Sequence, residues 1–261
     1  MSIKLVVDTI RHCHYFIIFV GLFLFVRDVC AFELLTDQSV AHACELHIVF
    51  AGIHYPDKQL FLNDMAMLKN GLWQTKPFDE FRSKIDFSYV VLSQKEEQQY
   101  FKATGTWPPL SLGMGLINRI AVHKGRVFKL VVIDYNDVSS CAELSSIRKF
   151  SVVVISRVPG KWFVNVFLHE LGHSLGLRDE CVHCRSTDPG SPNCAPDKET
   201  ARQWWGSLVS DQPYVDYIEG CCGHLEYIRP TIASLMNDVR KASDFGPVNE
   251  AFLMDVLSGL K

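Results

Sequence analysis

Residues 169–180 read HELGHSLGLRDE, and the rest of the chain is best read outward from them. His169 and His173 are four positions apart, so on a helix they stand one turn above the other on a single face, where both imidazoles reach one metal ion. Glu170 falls beside them, placed to take a proton from an attacking water. Gly176 follows the second histidine, where a helix can end and the chain can turn back. Beyond the turn stand two carboxylates, Asp179 and Glu180, and either is a candidate third ligand. Upstream, Trp162 and Val166 continue the stripe of the two histidines, while Leu168, Leu171 and Leu175 form a second stripe. A surface helix with two satisfied histidines is the bland alternative. The apolar stripes, the glycine at the turn and the carboxylate ten residues after His169 count against it.

The chain around this motif has 261 residues, 48% hydrophobic and 21% charged, enough for one sizeable core or a core with a small lobe. Its net charge of −3 and lack of a basic block point away from nucleic acid and from an anionic membrane surface as partners. The N-terminus differs from the rest. Lys4, Arg11 and two histidines precede an apolar run of twelve residues, 15–26, which is too short for an ordinary membrane span and suits a signal-peptide core. Val29 and Ala31 place small residues at −3 and −1 for cleavage before Phe32. Residues 1–31 are therefore expected to be a signal peptide. The mature chain is expected to be secreted or periplasmic, a monomer, with no stable membrane association. An uncleaved anchor or a buried helix is the competing reading of this segment.

Export changes what the cysteines mean. Of nine, Cys13 and Cys30 precede the cleavage point, leaving Cys44, Cys141, Cys181, Cys184, Cys194, Cys221 and Cys222. Five of these lie directly after the metal motif. In an oxidising compartment they are expected to form disulfides, with one thiol of the odd set free or paired to another chain, in a connectivity that sequence does not reveal. A structural zinc held among Cys181, Cys184, Cys194, Cys221, Cys222 and His224 is the alternative.

Hydrophobic patterning predicts strands over 45–54, 85–92, 127–133 and 150–156 and a helix over 58–69 that Asn70-Gly71 stops. A short helical turn is expected at 77–81, a polar helix or loop at 93–106, and a Pro/Gly-rich loop at 107–115. The order β-α-β-β-β-α gives an α+β fold, a mixed sheet backed by helices. Residues 181–200 form an irregular, cross-linked segment. Helices are expected over 198–209 and from 247, with Pro247 in the first turn, to about 257.

With these residues in place, the 169–179 stretch resembles the long zinc motif of the metzincin metalloproteases, HExxHxxGxxH, with aspartate in the third-ligand place as in snapalysin-type members. SLMN at 234–237 resembles the Met-turn of that clan. The chain is more closely similar to the bacterial IgA-peptidase family, in LHIVFAG at 46–52, PFDEF at 77–81, Asp179-Glu180, Pro192-Asn193-Cys194, Trp204-Trp205, Cys221 and Arg229-Pro230. Two departures stand out. That family often has one more residue before the Asp-Glu pair, and the tyrosine usual after the Met-turn is missing between 237 and 243.

The resemblance implies a metzincin-like sheet with backing and active-site helices. It implies an N-terminal catalytic subdomain over 32–180 and a small cysteine-rich C-terminal subdomain over 181–261 ending in a helix. It further implies one catalytic Zn²⁺ on His169, His173 and Asp179, with Glu180 as the alternative third ligand, Glu170 as general base, and Met236 as an apolar floor. Tyr227, Arg229 or backbone groups are left to stabilise the transition state. The implied activity is that of a hydrolase, a zinc metalloendopeptidase acting on a protein or peptide substrate. The competing class is a catalytically silent, zinc-stabilised extracellular binding module.

Overall fold

The structure, a computed structural model, describes residues 34–36, 45–92, 95, 97, 127–136, 140–142, 150–158 and 160–260. The expected signal peptide, the 107–115 loop and nearly all of 93–106 lie outside them. Residues 34–261 form one compact unit.

Four runs rich in β-branched and aromatic residues build the centre of the sheet. They are β2 (Leu46–Ile53), β3 (Ile85–Val91), β4 (Val127–Asp134) and β6 (Phe150–Ser156), which pair with one another in parallel. Seven of the eight β2 residues are buried, which suits a central strand covered on both faces. Two short edge strands make the sheet mixed. β1 (Leu34–Thr36) runs antiparallel to β3, and β5 (Cys141–Ala142) antiparallel to β6, in the order β1-β3-β2-β4-β6-β5.

Helix α1 (Lys58–Leu72) starts where the Asp57 side chain accepts a hydrogen bond from the Leu60 N–H at 2.8 Å. It runs through Asn70-Gly71 rather than stopping there. A β-carbon at Gly71 would lie 2.2 Å from Val164 Cγ1, so this glycine marks the crossing of α1 over the helix that carries His169 and His173. A 3-10 turn (Phe78–Lys84), longer than expected, leads into β3.

Helix α2 (Lys161–Leu175) carries the motif back beneath the sheet. Phe163, Phe167, Leu168, Leu171 and Leu175 are buried in the main core, with the Phe167 ring 5.9 Å from that of Phe50. The stripe with the histidines is the open side of the helix: Trp162 is exposed, under the Arg240 guanidinium, and Val166, His169 and His173 are half-buried. Lys129, buried in β4, donates to Ser151 Oγ at 2.8 Å and to the Ser174 carbonyl at 2.6 Å, tying the sheet to the last turn of α2.

The remainder folds around polar bonds and a second, smaller core. α3 (Lys198–Asp211) buries Trp205 against Ala195, Val215, Ile228 and Val248. A hairpin of β7 (Ile218–Cys221) and β8 (His224–Arg229), absent from the sequence expectation, turns through Cys222 and Gly223, at φ 53° and 77°. α4 (Pro247–Gly259) closes the chain, with Pro247 in its first turn as expected. The α+β class, the mixed sheet backed by helices and the cysteine-rich C-terminal part ending in a helix are all present. Among the described residues no helix is long and apolar enough to cross a membrane.

Candidate metal centre

The site begins with how α2 ends. Gly176 adopts the left-handed conformation at φ 114°, and the Leu177 N–H bonds back to the Gly172 carbonyl at 3.0 Å. That turn reverses the chain and returns Asp179 to the face carrying His169 and His173. The two histidine Nε2 atoms are 3.1 Å apart, and Asp179 Oδ1 is 3.4 Å from each. His169 Nδ1 pairs with the Leu235 carbonyl and His173 Nδ1 with the Leu177 carbonyl, both at 2.8 Å. A carbonyl only accepts, so each Nδ1 carries the proton and each Nε2 presents its lone pair to the centre of the triangle.

These distances suit zinc. Metal–ligand bonds of about 2.05 Å at tetrahedral angles place donor atoms about 3.3 Å apart. One carboxylate oxygen and two neutral imidazole nitrogens are also a zinc-type donor set. Burial acts to raise the Asp179 carboxyl, but the two imidazoles set against it outweigh that and hold it well below the usual carboxylate range. The carboxylate therefore stays ionised, as a ligand must.

Glu180, the alternative ligand, points the other way. It is fully buried, accepting at Oε1 from Asn193 Nδ2 (3.0 Å) and Asn249 Nδ2 (2.8 Å) and at Oε2 from Ser234 Oγ (2.6 Å) and Thr231 Oγ1 (3.4 Å). Burial raises its pKa and these bonds act against the rise. Its backbone N–H bonds to the Met236 carbonyl at 2.8 Å. Glu180 thus joins the Asp179 loop to the 231–237 turn and to α4. Asn193 holds the same loop from its other side, bonding the N–H and carbonyl of Arg178 at 2.9 and 2.8 Å. Sequence reading quoted Asn193 only as part of a resemblance and missed Ser234 and Asn249 as partners of Glu180.

Met236 lies where a floor is expected. It is fully buried, and a β-carbon on Gly172 would meet its sulfur at 2.9 Å. Gly172, between the two histidines, is what lets the methionine pack this close to the helix. Glu170 is buried beside the ligand set, and no described residue hydrogen-bonds its carboxyl. Burial pushes it up to about 7, with His169 lowering it and Asp179 raising it. Of the groups considered for the transition state, Tyr227 stacks on His224 and packs against the cysteine cluster, and Arg229 Nη1 donates to the carbonyls of Glu180 and Gly220.

The cysteines pair as Cys181–Cys184 and Cys194–Cys221, leaving Cys222 as a buried free thiol. Cys44 and the side chain of Cys141 lie outside the described residues. Cys194, Cys221 and Cys222 also cluster closely enough to be a possible metal group. The Cys222 N–H donates to the Asp179 carbonyl at 3.0 Å, with the Cys221 sulfur packed 3.3 Å from the same oxygen, so this cluster backs the loop that carries the third donor.

No protein-family model and no curated protein matches the chain, so the resemblance to the IgA-peptidase family gains no support there. Among solved structures, the chain is similar to the crystal structure of archaemetzincin from Methanopyrus kandleri. The two are 14% identical with a TM-score of 0.41, over 84% of this chain and 99% of the other. The chemical reading rests on the site's own geometry.

Proposed function

We propose that this chain is a secreted zinc endopeptidase, acting as a monomer outside the cytoplasm on protein or peptide substrates. The observation that carries the reading is the triangle of His169 Nε2, His173 Nε2 and Asp179 Oδ1, with sides of 3.1, 3.4 and 3.4 Å. Its three donors, among the described residues, leave a tetrahedral ion one open position, whereas a structural zinc is closed by a fourth protein ligand. Zinc bound there would lower the pKa of a water and polarise the scissile carbonyl. Glu170 accepts the proton of the attacking water at its carboxylate and returns it to the nitrogen of the leaving amine. The Nδ1 bonds to Leu235 and Leu177 hold both imidazoles in the tautomer that donates through Nε2. The two disulfides and the expected signal peptide support an oxidising, extracytoplasmic setting.

Replacing Glu170 with Gln tests the mechanism. Casein hydrolysis should vanish while zinc content stays near one ion per chain. Turnover retained in that variant contradicts the role of Glu170. Hydrolysis that survives chelation of the wild type contradicts the metal reading, and complete inactivity of a zinc-loaded wild type returns the chain to the silent binding module.

A further inference from the structure

A cavity of about 500 Å³ lies beside the proposed metal ligands and is unassigned by the reaction described above. Two short segments wall it, Cys181–Val182–His183 on one side and Asn237, Asp238 and Lys241 on the other, with Ile232, Ala233 and Arg229 between. Both segments lead directly away from the centre. Cys181 is two residues beyond Asp179, and the Glu180 N–H to Met236 carbonyl bond joins the strands just before they part to form the cavity. A chain spans at most about 3.5 Å per residue, so the rim at Cys181 lies within about 7 Å of the Asp179 backbone. The lining thus begins two residues after Asp179 and one residue after Met236, within the reach of a residue that flanks a scissile bond held at the centre.

The chemistry of the wall is selective. Arg229 is half-buried and has no ion-pair partner among the described residues; its Nη1 bonds are to backbone carbonyls, and its Nε is buried with no acceptor. Glu180 is near enough to act on it electrostatically, but both Glu180 oxygens already accept from Ser234, Thr231, Asn193 and Asn249. Lys241 adds a second, exposed positive charge at the rim, 3.2 Å from Asp238. With Nη1 taken by two carbonyls and Nε enclosed, Nη2 is the guanidinium nitrogen left to donate to a group in the cavity, and a carboxylate is the acceptor that a charged donor binds most strongly. The exposed Ile232 and the neighbouring Ala233 supply apolar contact for the stem of such a side chain.

We infer that this cavity is a specificity subsite for an acidic residue, aspartate or glutamate, next to the scissile bond, with Arg229 reading the carboxylate and Lys241 reinforcing it at the rim. The inference rests on the endopeptidase reading and deepens it. It assigns Arg229 to substrate choice rather than to the bond-breaking step.

The test is cleavage-site profiling of the zinc-loaded chain on a peptide library, followed by kcat/KM on matched peptides that differ only by Asp against Asn, or Glu against Gln, at the enriched position. The wild type should enrich acidic residues at one fixed position beside the cut. Arg229→Gln should lower the ratio of kcat/KM for the acidic peptide to that for its amide partner about ten- to a hundredfold, the span of a lost charged hydrogen bond. Arg229→Lys should restore part of the preference. Lys241→Glu, at an exposed position that leaves the fold intact, should shift the acid-to-amide ratio several-fold in the same direction. Equal cleavage of acidic and amide peptides by the wild type, an equal loss on both in Arg229→Gln, or an unchanged ratio in Lys241→Glu overturns the subsite while chelator-sensitive hydrolysis leaves the endopeptidase reading standing. If no peptide is cut, both fall.

Discussion

The candidate metal centre joins two regions built on different principles. His169 and His173 sit on α2, which is held by apolar burial: Phe163, Phe167, Leu168, Leu171 and Leu175 lock it beneath the sheet, and helical period alone brings the two imidazoles together. Asp179 sits on an irregular loop whose apolar anchor is the single side chain of Leu177, buried in the main core. Polar bonds hold it too, from Asn193 to Arg178, from four donors to Glu180, and from the Cys222 N–H to the Asp179 carbonyl. The adjacent carboxylates show the contrast most sharply. Asp179 keeps a side-chain exposure of 25% and faces the histidines, while Glu180 is fully buried and faces the scaffold. One residue of register separates the proposed ligand from a support.

Exchanging those two roles would break the comparison, and the expected losses differ in kind. Asp179→Ala should cost zinc affinity by orders of magnitude, read by competition with a chromogenic chelator, and leave thermal stability of the metal-free chain nearly unchanged. Glu180→Ala should do the opposite first. It strands four buried donors and should lower unfolding stability by about 3–5 kcal/mol, with zinc loss only as a consequence of the loosened loop. Equal stability losses in the two variants would contradict the division of labour.

The helix side can be tested more gently. Gly172→Ala drives a methyl against the Met236 sulfur and the Phe245 ring, at 2.9 and 3.0 Å. About 1–3 kcal/mol of destabilisation is expected, with zinc still bound but more weakly as the floor shifts. A neutral outcome would show that Met236 does not pack as described.

The smallest effect concerns Cys222 behind the loop. Burial pushes its thiol up from 9.0 to about 11. A raised thiol pKa means the folded chain favours the protonated form. Its stabilisation is therefore fully present below pH 9.0 and is lost as pH rises through about 11. Peptide mapping after iodoacetamide at pH 8 should find Cys222 unmodified in the native chain and modified in denaturant, and the melting temperature should fall between pH 9 and pH 11. Ready alkylation of Cys222 in the folded chain would show that the cluster is open.

What the sequence disclosed follows the same line between regions. Period and β-branched runs located β2, β3, β4 and β6 to within a residue or two, and the apolar stripes with Gly176 marked the course and end of α2, because burial on regular elements leaves a regular pattern. The pattern fails where backbone contact decides. β5 has only two residues, and its strand character comes from pairing with β6. The hairpin at 218–229 hid behind its cysteines, although Cys222-Gly223 is a turn signal. Gly71 read as a stop because local propensity says nothing of a second helix crossing there. Spacing favoured Asp179 over Glu180, but the reason lies in Asn193, Ser234 and Asn249, between 13 and 69 positions away from Glu180.

The most direct test of the central claim is X-ray absorption at the zinc edge of the zinc-loaded chain. The account predicts a first shell of nitrogen and oxygen only, at about 2.0–2.2 Å, with the multiple scattering of two imidazoles, and its loss in Asp179→Ala. A sulfur shell at about 2.3 Å would place the ion on the Cys194, Cys221 and Cys222 cluster instead and contradict the account.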